Sequence, residues 1–311
     1  MAKIITLTLN PALDKSITVQ ALVPEKKLKA SNVKTEPGGG GINVSRALHK
    51  LGQEAEAFYL AGGYTGKELS KLLDEEHVTS RPVEIKGNTR ENFIVLDTTS
   101  TKQYRFGMDG PNVEPLEWQE LLNKIGDEKN VDYIVASGSL APGVPPAFYT
   151  KLAALAREKK IKLVVDTSGP ALQAVVQEGV FMLKPNLGEL ASLTGSKEDL
   201  NLEDAVSACK KLIENHGCEM IVVSMGADGA VLVTGNGHHH IKPPKVEVLS
   251  TVGAGDSMVA GLLYALVNGY SEKNMLAYGV AAGTAATLHP GTELCSKADT
   301  ERLYSVIGQG G

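Results

Sequence analysis

Gly253-Ala254-Gly255-Asp256 is the part of this sequence best suited to chemistry. It stands between a Pro-containing, β-branched approach (242–249) and an apolar run at helical spacing (258–267). A turn that opens a helix presents N–H groups outside the hydrogen-bond ladder and the positive end of the helix dipole. Glycines at that turn let a phosphate, or a developing negative charge, approach those donors closely. Asp256 then has two readings. It is a helix cap, the commonest role of Asp before an apolar run, or it is a base held beside an anion cradle. Spacing alone does not choose between them.

Further polar residues stand where short apolar runs end: Ser137-Gly138-Ser139, Asp166, Lys184-Pro185-Asn186 and Ser224-Met225-Gly226. A second glycine cluster, Pro37-Gly38-Gly39-Gly40-Gly41, leads into 42–48, which carries Asn43 and repeats apolar residues at helical spacing. Asn186 and Glu189 have the spacing of a capping box, which by itself explains both. Ser224 to Gly229 reads equally well as a hairpin turn. His238-His239-His240 cannot all face one ion, and a solvated loop is the simpler reading. The dinucleotide fingerprint is excluded, because its last glycine would fall on Asn43 or Met258. The stretch 61–68 fails as a P-loop, with Ala61 for the first glycine and Glu68 where Ser or Thr must bind magnesium.

The elements that must carry these residues alternate. Apolar runs at 4–9, 55–61, 133–136, 162–166, 181–183 and 220–223 are separated by helix-like stretches, with helices expected at 67–76, 255–267, 272–288 and 297–307. Such alternation predicts an α/β fold with a mostly parallel sheet flanked by helices. Ligands in such sheets bind beyond the carboxyl ends of the strands, where the polar residues above stand. Residues 92–97 and 103–106 predict a hairpin. With the polar segment before Pro37 they form excursions at about 12–36 and 86–108, a small β lid on a single domain spanning 1–311. A net charge of −5 gives no field for nucleic acid. Three cysteines without metal spacing, no signal-like N-terminus and no apolar run near 20 residues lead to the expectation of a soluble, cytoplasmic protein away from membranes.

Four stretches, in order and covering essentially the whole chain, resemble the PfkB group of carbohydrate kinases within the ribokinase-like superfamily. They are Thr6-Leu7-Thr8-Leu9-Asn10-Pro11-Ala12-Leu13-Asp14, residues 37–44, Lys184-Pro185-Asn186-Leu187-Gly188-Glu189, and residues 250–256. The resemblance is strongest to the family's 6-phosphofructokinase branch. It implies ATP-dependent phosphorylation of the C1 hydroxyl of fructose 6-phosphate, with tagatose 6-phosphate or fructose 1-phosphate as alternative substrates. A non-catalytic sugar- or nucleotide-binding regulator on the same fold is the reading from another class, and the complete loop with its Asp argues against it. By the same resemblance Asp256 is the base, and Gly253, Ala254 and Gly255 form the anion hole. Asp14, Asn43, Gly39 and Gly40 hold the sugar, and Lys27, Arg90, Arg105 and Ser139 grip its distal phosphate. ATP lies near Lys184, Asn186, Ser224, Gly226 and Gly229. Magnesium is served, largely through water, by Asn186, Glu189 and Asp166, and potassium by carbonyls near Ser250, Val252, Ala286 and Gly291. A homodimer through the lid is also implied. Val23 and Lys29 depart from the aromatic residue and Arg of close relatives, so nothing about nucleotide inhibition carries over.

Overall fold

The computed structural model describes residues 2–196 and 200–309. Strands β1 (Ile4–Thr8) and β8 (Tyr133–Ser137) lie side by side within a nine-stranded sheet. On one side of this pair follow β4 (Glu56–Ala61) and β5 (Ser80–Glu84). On the other follow β9 (Lys162–Asp166), β10 (Met182–Leu183), β11 (Met220–Ser224), β12 (Ala230–Thr234) and β13 (Gly237–Ile241). From β5 to β11 every pairing is parallel; β12 and β13 turn back as an antiparallel edge.

Side chains alternate across the sheet with period two. Ile5, Leu7, Ile134 and Ala136 join a core with α3 (Pro115–Asp127), α4 (Ala147–Lys159), α5 (Gly169–Val176), α6 (Leu187–Thr194) and α7 (Leu202–His216). Ile4, Tyr133 and Val135 face the other way, against α1 (Gly40–Leu51), α8 (Ala254–Val267), α9 (Glu272–Thr287) and α10 (Lys297–Gln309). Helix α2 (Gly63–Glu75) packs Leu69 and Leu73 on Ala57 and Tyr59 beside the β5 edge. The α8–α9 contact is built on small residues. A Cβ added to Gly261 would stand 2.6 Å from Ala282 Cβ, and one added to Gly279 would stand 2.6 Å from Leu262 Cγ.

A separate four-stranded sheet, in the order β3 (Ser31–Gly38), β2 (Ala12–Val19), β6 (Arg90–Asp97), β7 (Lys102–Phe106), gathers the two excursions. The predicted hairpin is present, Ile94 facing Arg105 and Leu96 facing Gln103. Several apolar side chains of this sheet and the loops beside it are exposed, Val33 at 68% and Phe106 at 49%.

Three elements differ from the sequence expectations. The strand β5 carries Arg81 and Pro82 and buries only Val83 deeply, so it has little periodicity; an edge position tolerates its proline. The triple histidine is the edge strand β13 rather than a solvated loop, held in register by β12, with His240 Nε2 2.8 Å from Asp228 O. Helix α2 starts at Gly63, four residues before the expected 67, because Gly62 and Gly63 supply a turn that no apolar spacing announces.

Candidate active site

Five parallel strands deliver their carboxyl ends to one edge: Asn10 beyond β1, Ser137 at β8, Asp166 at β9, Lys184 beyond β10 and Ser224 at β11. The N-termini of α1 and α8 point to the same edge. Gly253 begins α8 with a left-handed φ of 73°, and a Cβ there would stand 2.7 Å from Leu294 Cδ2. Only glycine meets both demands. The first helical bond runs from Ser257 N to Gly253 O, so the N–H groups of Gly253, Ala254 and Gly255 precede the ladder.

Asp256 is not the cap. The capping position is Gly253, without a side-chain bond, and Asp256 sits in the first turn with its carboxylate directed across to other elements. Asn43 Nδ2 donates to its Oδ2 at 2.9 Å, and Ser137 Oγ donates to its Oδ1 at 3.5 Å. Burial pushes its pKa up to about 6, reinforced by the negative charge of Asp166; the Asn43 amide, the Lys184 ammonium and the Ser137 hydroxyl hold it from rising further. A carboxylate tuned in this way is ionised near neutrality yet able to accept a proton.

The cation beneath the loop is Lys184, buried, with Nζ 3.0 Å from Asp166 Oδ1. Burial disfavours its charge, but the carboxylates of Asp166, Glu189 and Asp256 outweigh that and raise its pKa. A Cβ on Gly255 would lie 3.8 Å from Lys184 Nζ, so the ammonium reaches the loop itself. Asn186 and Glu189 do form the capping box, closing both bonds at 2.8 Å at the start of α6. The bland reading is therefore present, and it leaves Glu189 Oε1 outside the box. Burial raises the Glu189 pKa, and the charge of Asp166 adds to it. Two carboxylates that repel each other beside the anion loop are a hard-oxygen set suited to magnesium. Among the described residues no three Asp, Glu, His or Cys side chains form a direct metal cluster.

On the sugar side, Asp14 is buried on β2 and receives a hydrogen bond from Asn92 Nδ2 at 2.9 Å. Burial raises its pKa; Asn92, Arg90 and Arg46 oppose the rise. The glycine cluster is demanded by the protein's own packing. A Cβ on Gly39, at φ 113°, would meet Thr8 Cγ2 at 2.7 Å, and one on Gly40 would meet Gly138 N at 2.6 Å. Arg90 already spends two donors on backbone, bonding Met108 O at 2.6 Å and Asn10 O at 2.9 Å, and its buried Nε has no partner among the described residues. Arg105 reaches from β7 to Thr251 Oγ1 at 3.2 Å, joining the small sheet to the loop before α8. Ser139 stands 3.4 Å from Asn10 Nδ2. Lys27 lies in the exposed loop between β2 and β3, away from these groups' hydrogen bonds.

Beyond β11, residues 224–229 make the hairpin turn into β12, with a short 3₁₀ segment and left-handed glycines at 226 and 229. A Cβ on Gly229 would collide with the Ile241 carbonyl, so local packing alone accounts for that glycine. Of the four residues expected near potassium, Ser250, Gly291 and Val252 are joined by hydrogen bonds, and Ala286 precedes a residue bonded to the same loop. Ser250 Oγ donates to Gly291 O at 2.7 Å, Val252 N to Ser250 Oγ at 3.2 Å, and Leu249 N to Thr287 O at 2.8 Å, next to Ala286.

Ser137, Asn92 and Asn10 belong to this constellation although the sequence assigned none of them a role. Ser137 carried a usable signal, a polar residue ending an apolar strand. The partnership of Asn92 with Asp14 depends on the β2–β6 pairing, which no local pattern announces.

Parallel strands ending in polar groups under a helix-start glycine loop, with a second sheet over one side, are the architecture of ribokinase-like sugar kinases. Ribokinase from Arabidopsis thaliana shares this fold at a TM-score of 0.77 and 18% identity. The chain belongs to the pfkB family of carbohydrate kinases, whose family model matches residues 7–299. It is 40% identical over 310 residues to the ATP-dependent 6-phosphofructokinase isozyme 2 of Escherichia coli, covering 99% of this chain and 100% of that one. It is 39% identical over 308 residues to the isozyme 2 of Mycobacterium tuberculosis, covering 99% and 90%. The crystal structure of phosphofructokinase-2 from Escherichia coli in complex with fructose-6-phosphate superposes with a TM-score of 0.93 at 38% identity, covering 99% and 100%. The complex of that enzyme with potassium gives 0.94 at 39% identity, with the same coverage.

Proposed function

We propose that this chain is an ATP-dependent 6-phosphofructokinase, a single cytoplasmic kinase domain that transfers the γ-phosphoryl group of ATP to the C1 hydroxyl of fructose 6-phosphate. The observation that carries the mechanism is the Asp256 carboxylate, held by Asn43 and Ser137 in the first turn of α8 beside the N–H groups of the glycine loop. In this reading Asp256 accepts the proton of the attacking hydroxyl. The N–H groups of Gly253, Ala254 and Gly255 stabilise charge on the transferring phosphoryl, with Lys184 adding a cation from below. Asp14 and Asn43 bind sugar hydroxyls. Arg90, Arg105, Ser139 and Lys27 take the distal phosphate as the small sheet serves as a lid. ATP lies along Lys184, Asn186, Ser224, Gly226 and Gly229.

Magnesium, when bound, neutralises phosphate oxygens; Asp166, Asn186 and Glu189 would hold it through water. Carbonyls around Ser250, Val252, Ala286 and Gly291 would hold potassium. The exposed apolar residues of the small sheet suit a homodimer formed through it, a form that buries an otherwise open sheet.

A coupled ADP-release assay across fructose 6-phosphate, tagatose 6-phosphate and fructose 1-phosphate tests the substrate. The highest kcat/KM is expected for fructose 6-phosphate; a higher value for either other sugar would replace it.

A further inference from the structure

Arg46 lies outside every role assigned above, and its surroundings are specific. It is 3% exposed on α1, one turn beyond Asn43. Its guanidinium forks onto Glu76, just past α2, with Nε donating to Oε2 and Nη2 to Oε1, both at 2.6 Å. Nη1 donates to Pro37 O at 2.8 Å and to Asn43 Oδ1 at 3.4 Å. The other end of the same amide, Asn43 Nδ2, donates to Asp256 Oδ2 at 2.9 Å. A guanidinium has only donors, and an ionised carboxylate has only acceptors. An amide between them therefore has one workable orientation, oxygen toward Arg46 and nitrogen toward Asp256. A buried charge is costly to keep, and a bidentate partner such as Glu76 both offsets that cost and fixes the fork in place.

The geometry points to Arg46 as a positioning residue for the phosphoryl-transfer step: anchored by Glu76, it locks the Asn43 amide so that Asn43 always donates to Asp256. This rests on Asp256 being the base. Without Arg46 the amide can also turn its oxygen to the protonated carboxyl and accept its O–H, which favours the neutral form over the ionised one. The other groups facing Asp256 are Ser137 at β8, Asp166 at β9 and Lys184 beyond β10. Arg46 itself also faces Glu36, whose Oε1 lies 3.7 Å from Nη2, and the charge of Asp14.

The test is steady-state kinetics and pH–rate profiles of Arg46→Met in the native and Asn43→Ala backgrounds, with Arg46→Lys and Glu76→Gln alongside. Arg46→Met is expected to lower kcat about 10- to 100-fold, the size of a hydrogen bond to a charged group, with KM for both substrates changed less than about threefold. The acid limb of its profile should move to higher pH. In the Asn43→Ala background the same change should cost less than about threefold, because the group it acts through is gone. Arg46→Lys keeps a donor for Asn43 and should recover part of the loss. Should Arg46→Met fail to fold, Glu76→Gln carries the same cycle, since it loosens the fork from a half-exposed position. An equal loss in both backgrounds, or a lower kcat with an unmoved acid limb, overturns the positioning role and leaves Arg46 as packing. Near-native turnover of Asp256→Asn would instead overturn the base assignment, which keeps the two failures apart.

Discussion

Acidification should switch this enzyme off in a defined window, because in the proposed mechanism Asp256 must be ionised to accept a proton. Its carboxyl is raised from 3.8 to about 6. At pH 7 about nine-tenths of it is ionised and at pH 5 about one-tenth, so the rate should fall roughly tenfold for each pH unit below 6. The second ionisation of a phosphate monoester also falls at about 6, which clouds a single profile. Two variants remove that ambiguity, since they leave the substrate unchanged. Ser137→Ala deletes a donor to the ionised form, so the limb should move up by about half a pH unit, the value of a weak hydrogen bond. Asp166→Asn deletes the repelling charge, so the limb should move down. Coupled initial-rate assays from pH 4.5 to 8.5 at constant ionic strength, roughly bracketing the transition, read limb position rather than height. Movement of both variants in the same direction, or a flat profile to the acid end, would refute the electrostatic account of the base.

Three further outcomes follow from the same geometry. Gly253→Ala combines a φ of 73° with a Cβ 2.7 Å from Leu294 Cδ2, and should cost about 1–3 kcal/mol in chemical denaturation while lowering kcat. Arg90→Ala should raise KM for fructose 6-phosphate about tenfold or more, as steady-state kinetics would record. The folded pKa of Asp256 lies above its unfolded value, so its stabilising contribution is full below pH 3.8 and is lost as pH rises through about 6. Asp256→Asn should therefore be more stable than the native chain at pH 8 by about 1–3 kcal/mol in chemical denaturation, with the difference vanishing near pH 4.

Much of this arrangement was legible in the residues because strand ends are readable. An apolar run that stops at Ser137, Asp166, Lys184 or Ser224 gives both the strand and the side of the sheet where ligands gather. The glycines were legible as glycines, but their reasons were not. Gly40 and Gly229 are required by the backbone of Gly138 and by the carbonyl of Ile241, contacts set by tertiary packing rather than by a ligand. Asp256 shows the same limit. Its position in a first turn suggested a cap, and only the packing of α1 against α8 turns its carboxylate toward Asn43. Edge strands fared worst. The strand β5 hides behind Arg81 and Pro82, and β13 behind three histidines, because an edge buries too little to impose periodicity.

The central claim is that Asp256 supplies base catalysis and not binding. Asp256→Asn preserves shape and the bond from Asn43 while removing the proton acceptor. Turnover of fructose 6-phosphate by this variant, measured with calorimetric affinities for ATP and the sugar, tests the claim most directly. The account predicts a loss of at least about a hundredfold in kcat, the lower range for a positioned general base, with both affinities within about threefold of native. Turnover within a few-fold of the native enzyme would contradict it.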